Sequence, residues 1–392
     1  MIHYATRIIQ LAAVIGAISS ALYYLICLWS ASVFLREQTA ARSRPTLTEA
    51  TPPISILKPL KGTHPQIYEC LRSHCLQDYP EYEIIFAVSD PNDPAIATVK
   101  KLQSEFPAHR IQLIFCPKIL GANIKVSNLA QMLPLARHDH LIVNDSDIRV
   151  ERNYLRRVIA PLADPTVGMV TCLYRGVAAP SLGSRLEALG ISTDFCAGVL
   201  AARQLEGGMR FGLGSTLAFR RGDVQSIGGF ESFADYLADD YELGRRIANL
   251  GLKVELSDVV VETVLPPYST RDFLQHQLRW SRAIRDARAG GYMGLIFTFG
   301  LLWSLVTVIS ANGARWSWEW FASVTFLRLL VALVVGRAVL ADRQLLRNLW
   351  LIPLRDLTAV AVWIASFAGH TVSWRGDHFQ LRNGKLSRAA PH

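Results

Sequence analysis

The chain has 392 residues, of which 51% are hydrophobic and 19% charged, and this balance excludes a disordered, collagen-like or disulfide-knot protein. Its net charge of +9, from 41 Lys and Arg against 32 Asp and Glu, suits an anionic membrane or a phosphorylated substrate. Nucleic acid is disfavoured, because no dense Lys/Arg run, zinc-finger spacing or RNP-type motif occurs.

Hydrophobic residues concentrate at the two ends. Ile8 to Leu35 runs without a charge, long enough to cross a bilayer. Arg7 alone precedes it, whereas Arg36, Arg42, Arg44, Lys58 and Lys61 follow. That asymmetry speaks for an uncleaved anchor over residues 1–36 and, by the positive-inside rule, for a cytoplasmic main domain over residues 52–290. The six cysteines, Cys27, Cys70, Cys75, Cys116, Cys172 and Cys196, form no CxxC pair and read as reduced thiols.

The main domain begins with the short apolar strand Ile54–Leu57, a helix over Gln66–Leu76 and the continuous apolar strand Tyr82–Val88. A helix over Pro94–Phe106 and a strand over Ile111–Phe115 follow. This alternation predicts an α/β domain with a parallel sheet and helices on both faces. Ligands of such sheets sit beyond the carboxyl ends of the strands. Acidic residues stand at two of those ends: Asp90 after Tyr82–Val88, and Asp145-Ser146-Asp147 after the strand His140–Val143. Asp145 and Asp147, at i and i+2 on extended chain, point to one side and offer hard oxygen ligands to Mg2+ or Mn2+.

Further on, Asp239 and Asp240 open a helix, where carboxylates also serve as caps against the macrodipole. Ser181–Leu200 suggests an interfacial helix. Ser269-Thr270-Arg271-Asp272 resembles a capping box. The helix it starts holds His276, Gln277, Arg279 and Trp280. Arg279, Arg282, Arg285 and Arg288 recur every third residue. Either this stripe snorkels on anionic lipid, or Arg279 and Trp280 close a pocket in which the arginine meets phosphate oxygens.

Three greasy runs, Gly294–Ala311, Trp318–Leu340 and Leu349–Gly369, fill residues 291–370, with Trp303, Trp316, Trp318, Trp320 and Trp350 near their edges. Three crossings would place the tail, residues 371–392, outside, yet it carries Arg375, Arg382, Lys385 and Arg388. Parity and the charge rule disagree. The third run also contains Arg355-Asp356, costly in hydrocarbon unless mutually satisfied or near an interface, so a re-entrant path is the alternative.

Asp90, Asp145-Ser146-Asp147, Asp239-Asp240 and Arg279-Trp280, in this order, resemble the acidic series and terminal RW motif of family 2 and family 21 glycosyltransferases. Ile56–Gly62 (ILKPLKG), Asp90–Ala95 (DPNDPA), Gly121–Leu129 (GANIKVSNL), Asp145–Val150 (DSDIRV) and Val372–Arg375 (VSWR) look more closely like the ceramide glucosyltransferases and their bacterial relatives, including hopanoid-glycosylating ones. The resemblance implies a GT-A domain with an N-terminal transmembrane anchor and C-terminal transmembrane or interfacial helices, in a bacterial inner membrane. It implies an inverting enzyme that moves glucose or N-acetylglucosamine from a UDP-sugar to a lipid hydroxyl, on ceramide, a hopanoid polyol or diacylglycerol, with Mg2+ or Mn2+. It also implies roles. Asp240 is the general base, Asp145 and Asp147 hold the metal, and Asp90, Lys125, Asp145, Arg279 and Trp280 bind the donor, with Asp239, His276 and Gln277 in lesser parts. Where that family has Gln or Arg three residues before Arg279, this chain has His276, with Gln277 beside it. Ser192-Thr193-Asp194 stands where the animal ceramide enzymes carry a histidine. The rival readings are a processive polysaccharide synthase, with few helices for an export channel, and a non-catalytic membrane sugar- or lipid-binding protein.

Overall fold

The computed structural model describes residues 2–43, 51–374 and 377–388; Arg44 and Arg375 lie outside them. Strands β1 Ile54–Pro59, β2 Tyr82–Val88, β3 Arg110–Phe115, β4 His140–Val143, β5 Ile148–Arg149, β6 Val167–Val177, β7 Leu217–Arg220 and β8 Lys253–Val264 form one sheet, ordered β3-β2-β1-β4-β7-β6-β8-β5. The helices Ile67–Cys75 and Ala95–Glu105 follow the expected pattern. Every residue of β2 is buried, which is why its seven positions are all apolar but Glu83. That carboxylate is satisfied by Ser55, Arg110 and the Arg137 amide.

The expected parallel sheet is only half realised. β1, β2, β3 and β4 pair in parallel, but β7 runs antiparallel to both β4 and β6. Asn144, just past the end of β4, donates to the Ser215 carbonyl at 2.7 Å and fastens the start of β7 beside it, in keeping with the antiparallel register of Val143 with Leu217.

The anchor is one helix, Ile2–Ser43, longer than the greasy run that predicted it. The first C-terminal run is a bent pair, Ala289–Thr298 and Gly300–Ser310, angled by 49°. Its second half packs on the anchor: Trp303 lies against Gly16, and Gly300 against Tyr24. Arg315–Val339 returns. The helix Leu345–Ser366 is long and apolar enough to cross, and hydrogen bonds fasten both of its ends. At the start, Arg175 donates to the Leu340 carbonyl and Gln344 accepts from the Ala178 amide, both at 2.8 Å. At the finish, Tyr292 donates to the Ser366 hydroxyl at 2.8 Å and Arg285 to the Ser366 carbonyl. Both ends are thus tied to neighbouring elements, and the tail that follows returns to the domain. Strands β9 Thr371–Trp374, β10 Asp377–Arg382 and β11 Lys385–Arg388 dock there through Leu237 N–H to Gly384 O, 3.0 Å, and Leu386 N–H to Asp235 O, 2.7 Å.

Arg355 and Asp356 do not pair with each other. Asp356 meets Arg328 at 2.8 Å, a residue only 2% exposed that also reaches Asp194 at 3.1 Å. Arg355 donates to Gln277 at 3.2 Å. The interfacial helix expected at Ser181–Leu200 is instead largely buried. Leu182–Gly190, a π turn Ile191–Phe195 and Cys196–Leu205 are wedged between the sheet and the membrane helices.

Candidate active site

The site is assembled at the carboxyl ends of β1 and β4. Lys58, near the end of β1, is fully buried. Its ammonium lies 3.2 Å from His74 Nε2 and 3.2 Å from the Asp145 carbonyl. His74 Nδ1 faces the Cys70 carbonyl at 3.0 Å. A carbonyl only accepts, so Nδ1 carries the proton and Nε2 accepts from Lys58. Burial pulls the Lys58 amine down to about 7 and holds His74 neutral.

Asp145 leaves β4 half-exposed and meets Lys125 at 2.8 Å. Lys125 stands in the first turn of the helix Ile124–Met132, which Asn123 caps by accepting from the Val126 amide. The same ammonium reaches Asp239 at 2.9 Å. Burial lowers the Lys125 pKa, but the surrounding Asp145, Asp239 and Asp240 carboxylates reverse this and raise it above the usual lysine value. Lys125 is therefore a fixed positive charge that uses up Asp239.

Asp240 is left over. It accepts from the Gly214 amide at 2.7 Å and from the Tyr241 amide at 2.8 Å. Burial, then the Asp239 charge, raises its pKa to about 6, against the pull of Lys125. Gly214 has no room for a side chain. A Cβ there would stand 2.9 Å from Asp145 Oδ2 and 3.2 Å from Asp240 Oδ2. The two carboxylates thus face each other across a bare backbone position.

Asp147 accepts from the Thr263 hydroxyl at 3.0 Å. Burial and the neighbouring Asp145 charge raise its pKa, a strain that a bound cation relieves. No cluster of three or more His, Cys, Asp or Glu suited to a metal occurs among the described residues. The hard carboxylate oxygens of Asp145 and Asp147 would suit a divalent ion that completes its ligands from elsewhere.

The other expected residues are placed as follows. Asp90 is exposed and makes only a local turn, accepting from the Asn92 amide at 2.8 Å. No bond joins it to the Lys125 cluster. The neighbouring Asp93 instead ties the loops together, accepting from Gly62 at 2.9 Å and Ala95 at 2.9 Å. Trp280 and Arg279 lie on the helix Thr270–Ala287. Trp280 packs edge-on against His276 at 5.6 Å and Phe195 at 5.8 Å. His276 stacks on Tyr268 at 5.3 Å, and Gln277 donates to Glu187 at 2.5 Å. The arginine stripe beyond Arg279 is engaged within the protein. Arg282 and Arg285 cap carbonyls of Ser366, Ala368, Gly369 and Thr371, and Arg288 pairs with Glu206.

Three residues went unnoticed in the sequence. Glu187 is 3% exposed and accepts from Gln277; its one signal is a lone acid in an apolar helical stretch. Tyr174 has its phenol pushed up by burial, with Cys196, Asp240, Glu187 and Asp145 adding to the effect, so it stays neutral near the carboxylates. His64 lies near Asp147, and both of its ring nitrogens are shielded and make no hydrogen bond among the described residues.

A family model, glycosyl transferase family 21, matches residues 12–387. The chain belongs to this family. Ceramide glucosyltransferase 3 of Caenorhabditis elegans is 24% identical over 92% of this chain and 80% of its own length. Ceramide glucosyltransferase 1 of the same organism is 23% identical over 86% and 74%, and the ceramide glucosyltransferase of Candida albicans is 33% identical over 28% and 22%. Among solved structures, a mannosyltransferase from Pyrobaculum calidifontis in complex with GDP-Man and Mn2+ superimposes with a TM-score of 0.53 at 20% identity, covering 91% of this chain and 97% of that one. The family 21 chain thus has the GT-A fold and is a ceramide glucosyltransferase-like glycosyltransferase with membrane helices. The non-catalytic reading falls.

Proposed function

We propose that this family 21 enzyme transfers glucose or N-acetylglucosamine from a UDP-sugar to a lipid hydroxyl, of ceramide or a hopanoid polyol, with inversion. The observation that carries the reading is the split pair: Lys125 holds Asp239, while Asp240 is held by two backbone amides at a pKa of about 6. A base poised just below neutral pH is ionised when it meets an alcohol and accepts its proton in the transition state. Asp240 takes the proton of the acceptor hydroxyl as that oxygen forms its bond to the anomeric carbon. The bond to UDP breaks on the opposite face, and an α-sugar becomes a β-glycoside. Asp145 and Asp147 would hold Mg2+ or Mn2+, which when bound supplies Lewis-acid stabilisation of the diphosphate. Lys125 and Arg279 add positive charge for the departing UDP. Asp90 contacts the uridine from the edge of the site, and Trp280 closes over the donor.

The acceptor never leaves the bilayer, so the catalytic domain, on the cytoplasmic side, works at its surface. To test this, the full chain in detergent is given UDP-glucose and UDP-N-acetylglucosamine, with ceramide and bacteriohopanetetrol in competition. Products are read by mass spectrometry with Mg2+, Mn2+ or chelator. A hexosyl-ceramide or an N-acetylhexosaminyl-hopanoid that disappears on chelation supports the reading. Release of UDP without any glycolipid, or turnover indifferent to chelation, overturns it.

A further inference from the structure

Behind the Asp240 helix lies a cavity of about 610 Å³ that the transfer reaction does not use. Its walls include Arg210, Arg245, Arg288, Glu206, Phe211 and Tyr241. Tyr241 and Arg245 are i and i+4 on the helix Asp239–Asn249 and so share one face, while Asp239 faces Lys125. The charges do not cancel. Arg288 is paired with Glu206, and Arg245 with Glu242 at 2.9 Å. Arg210 is exposed and makes no ion pair or hydrogen bond among the described residues. Glu242 also pairs with Arg246 at 2.6 Å, so positive charge is in excess around the cavity, the match of a phosphodiester. Phe211 and Tyr241 stack at 6.0 Å and 25° to form an aromatic floor.

Location decides what would occupy it. Arg288 sits where the helix Thr270–Ala287 gives way to the bent pair that enters the membrane. Leu205, beside Glu206, and Met293, just past Arg288, are exposed apolar side chains. Arginines with aromatic and apolar neighbours at the membrane boundary suit a lipid headgroup. We propose that this cavity binds the phosphodiester headgroup of an anionic phospholipid, with its acyl chains along the bent pair. The inference does not depend on the identity of the sugar or the acceptor.

The test uses the full chain in nanodiscs of phosphatidylcholine with and without phosphatidylglycerol. Hydrogen–deuterium exchange is followed over residues 206–212 and 241–249. Phosphatidylglycerol is expected to slow exchange there in the unaltered chain. In Arg210→Gln/Arg245→Gln the phosphatidylglycerol needed for half-protection rises about fivefold per arginine. Arg210→Gln alone removes a side chain without partners, so a folding defect does not mimic the result. Equal protection in both nanodisc types, or protection unchanged in the double variant, overturns the proposal. So does equal protection by inorganic phosphate in nanodiscs lacking phosphatidylglycerol, since the ligand is then a free anion and not a lipid.

Discussion

Gly214→Ala probes the facing of the two carboxylates most directly. Gly214 is absent from the positive-φ glycines, so alanine meets no backbone strain there. Its Cβ would meet Asp145 Oδ2 at 2.9 Å and Asp240 Oδ2 at 3.2 Å, inside the roughly 3.3–3.6 Å of an ordinary carbon–oxygen contact. Neither carboxylate yields freely. Asp145 is tied to Lys125 at 2.8 Å, and Asp240 to the Gly214 amide itself at 2.7 Å. A shift of about half an ångström must therefore be absorbed between metal ligand and base. A misplacement of about 1 Å costs on the order of 100-fold, so kcat is expected to fall roughly tenfold to a hundredfold. The overpacking itself costs about 1–3 kcal/mol, which a thermal melt of the full chain reports separately. The assay is glycolipid formation by mass spectrometry, with UDP-sugar binding by calorimetry and Gly222→Ala as control, because a Cβ there touches nothing within 4 Å. If Gly214→Ala turns over like the control, the carboxylates do not cooperate across Gly214.

Other consequences follow from the same cluster. Asp240→Asn should lower kcat by about 10²–10⁴-fold with UDP-sugar affinity retained; near-normal turnover refutes the base. Because the Asp240 pKa is raised to about 6, the base is ionised above that pH, and kcat/KM should fall tenfold per unit below it. An acid limb nearer the ordinary carboxylate range would contradict this. Lys125→Met leaves the buried Asp239 without its cation and should cost about 3 kcal/mol in a denaturant melt, part of which Lys125→Met/Asp239→Asn restores; no recovery in the double variant denies the pairing. Arg328→Met removes the cation shared by Asp356 and Asp194 and should lower the melting temperature more than Arg315→Met, whose side chain is 93% exposed.

The parts that were legible in the sequence are those where local pattern and tertiary need coincide. Tyr82–Val88 reads as a strand because it is buried on both faces and carries one polar side chain. Asp145 and Asp147 stand out because a polar cluster interrupts the chain at the end of β4. What was hidden depends on partners far along the chain. The direction of β7 follows from its pairing with β4 and β6, distant in sequence, not from its own four residues. Hydropathy marks Leu345–Ser366 as a candidate span, but nothing in its own residues shows the bonds to Ala178, Gln277 and Arg285 that tie it to the domain. The arginine stripe reads as a lipid-facing surface until the carbonyls it caps are in place.

The same limit applies to the pair Asp239-Asp240. Two adjacent aspartates opening a helix are chemically alike, and nothing in their own segment separates them. The separation comes from Lys125, a residue on another helix. Its ammonium takes Asp239 and bridges it to Asp145, while the Gly214 loop, itself held by Asn144, delivers an amide to Asp240. One carboxylate becomes part of a salt-bridged frame. The other keeps a raised pKa because it is buried and stands beside the Asp239 charge, which the pull of Lys125 and the Tyr241 amide do not reverse. Two roles from two identical residues would therefore require the whole sheet edge to be assembled: the family resemblance singles out Asp240 in the sequence, but the physical difference between it and Asp239 appears only in the fold.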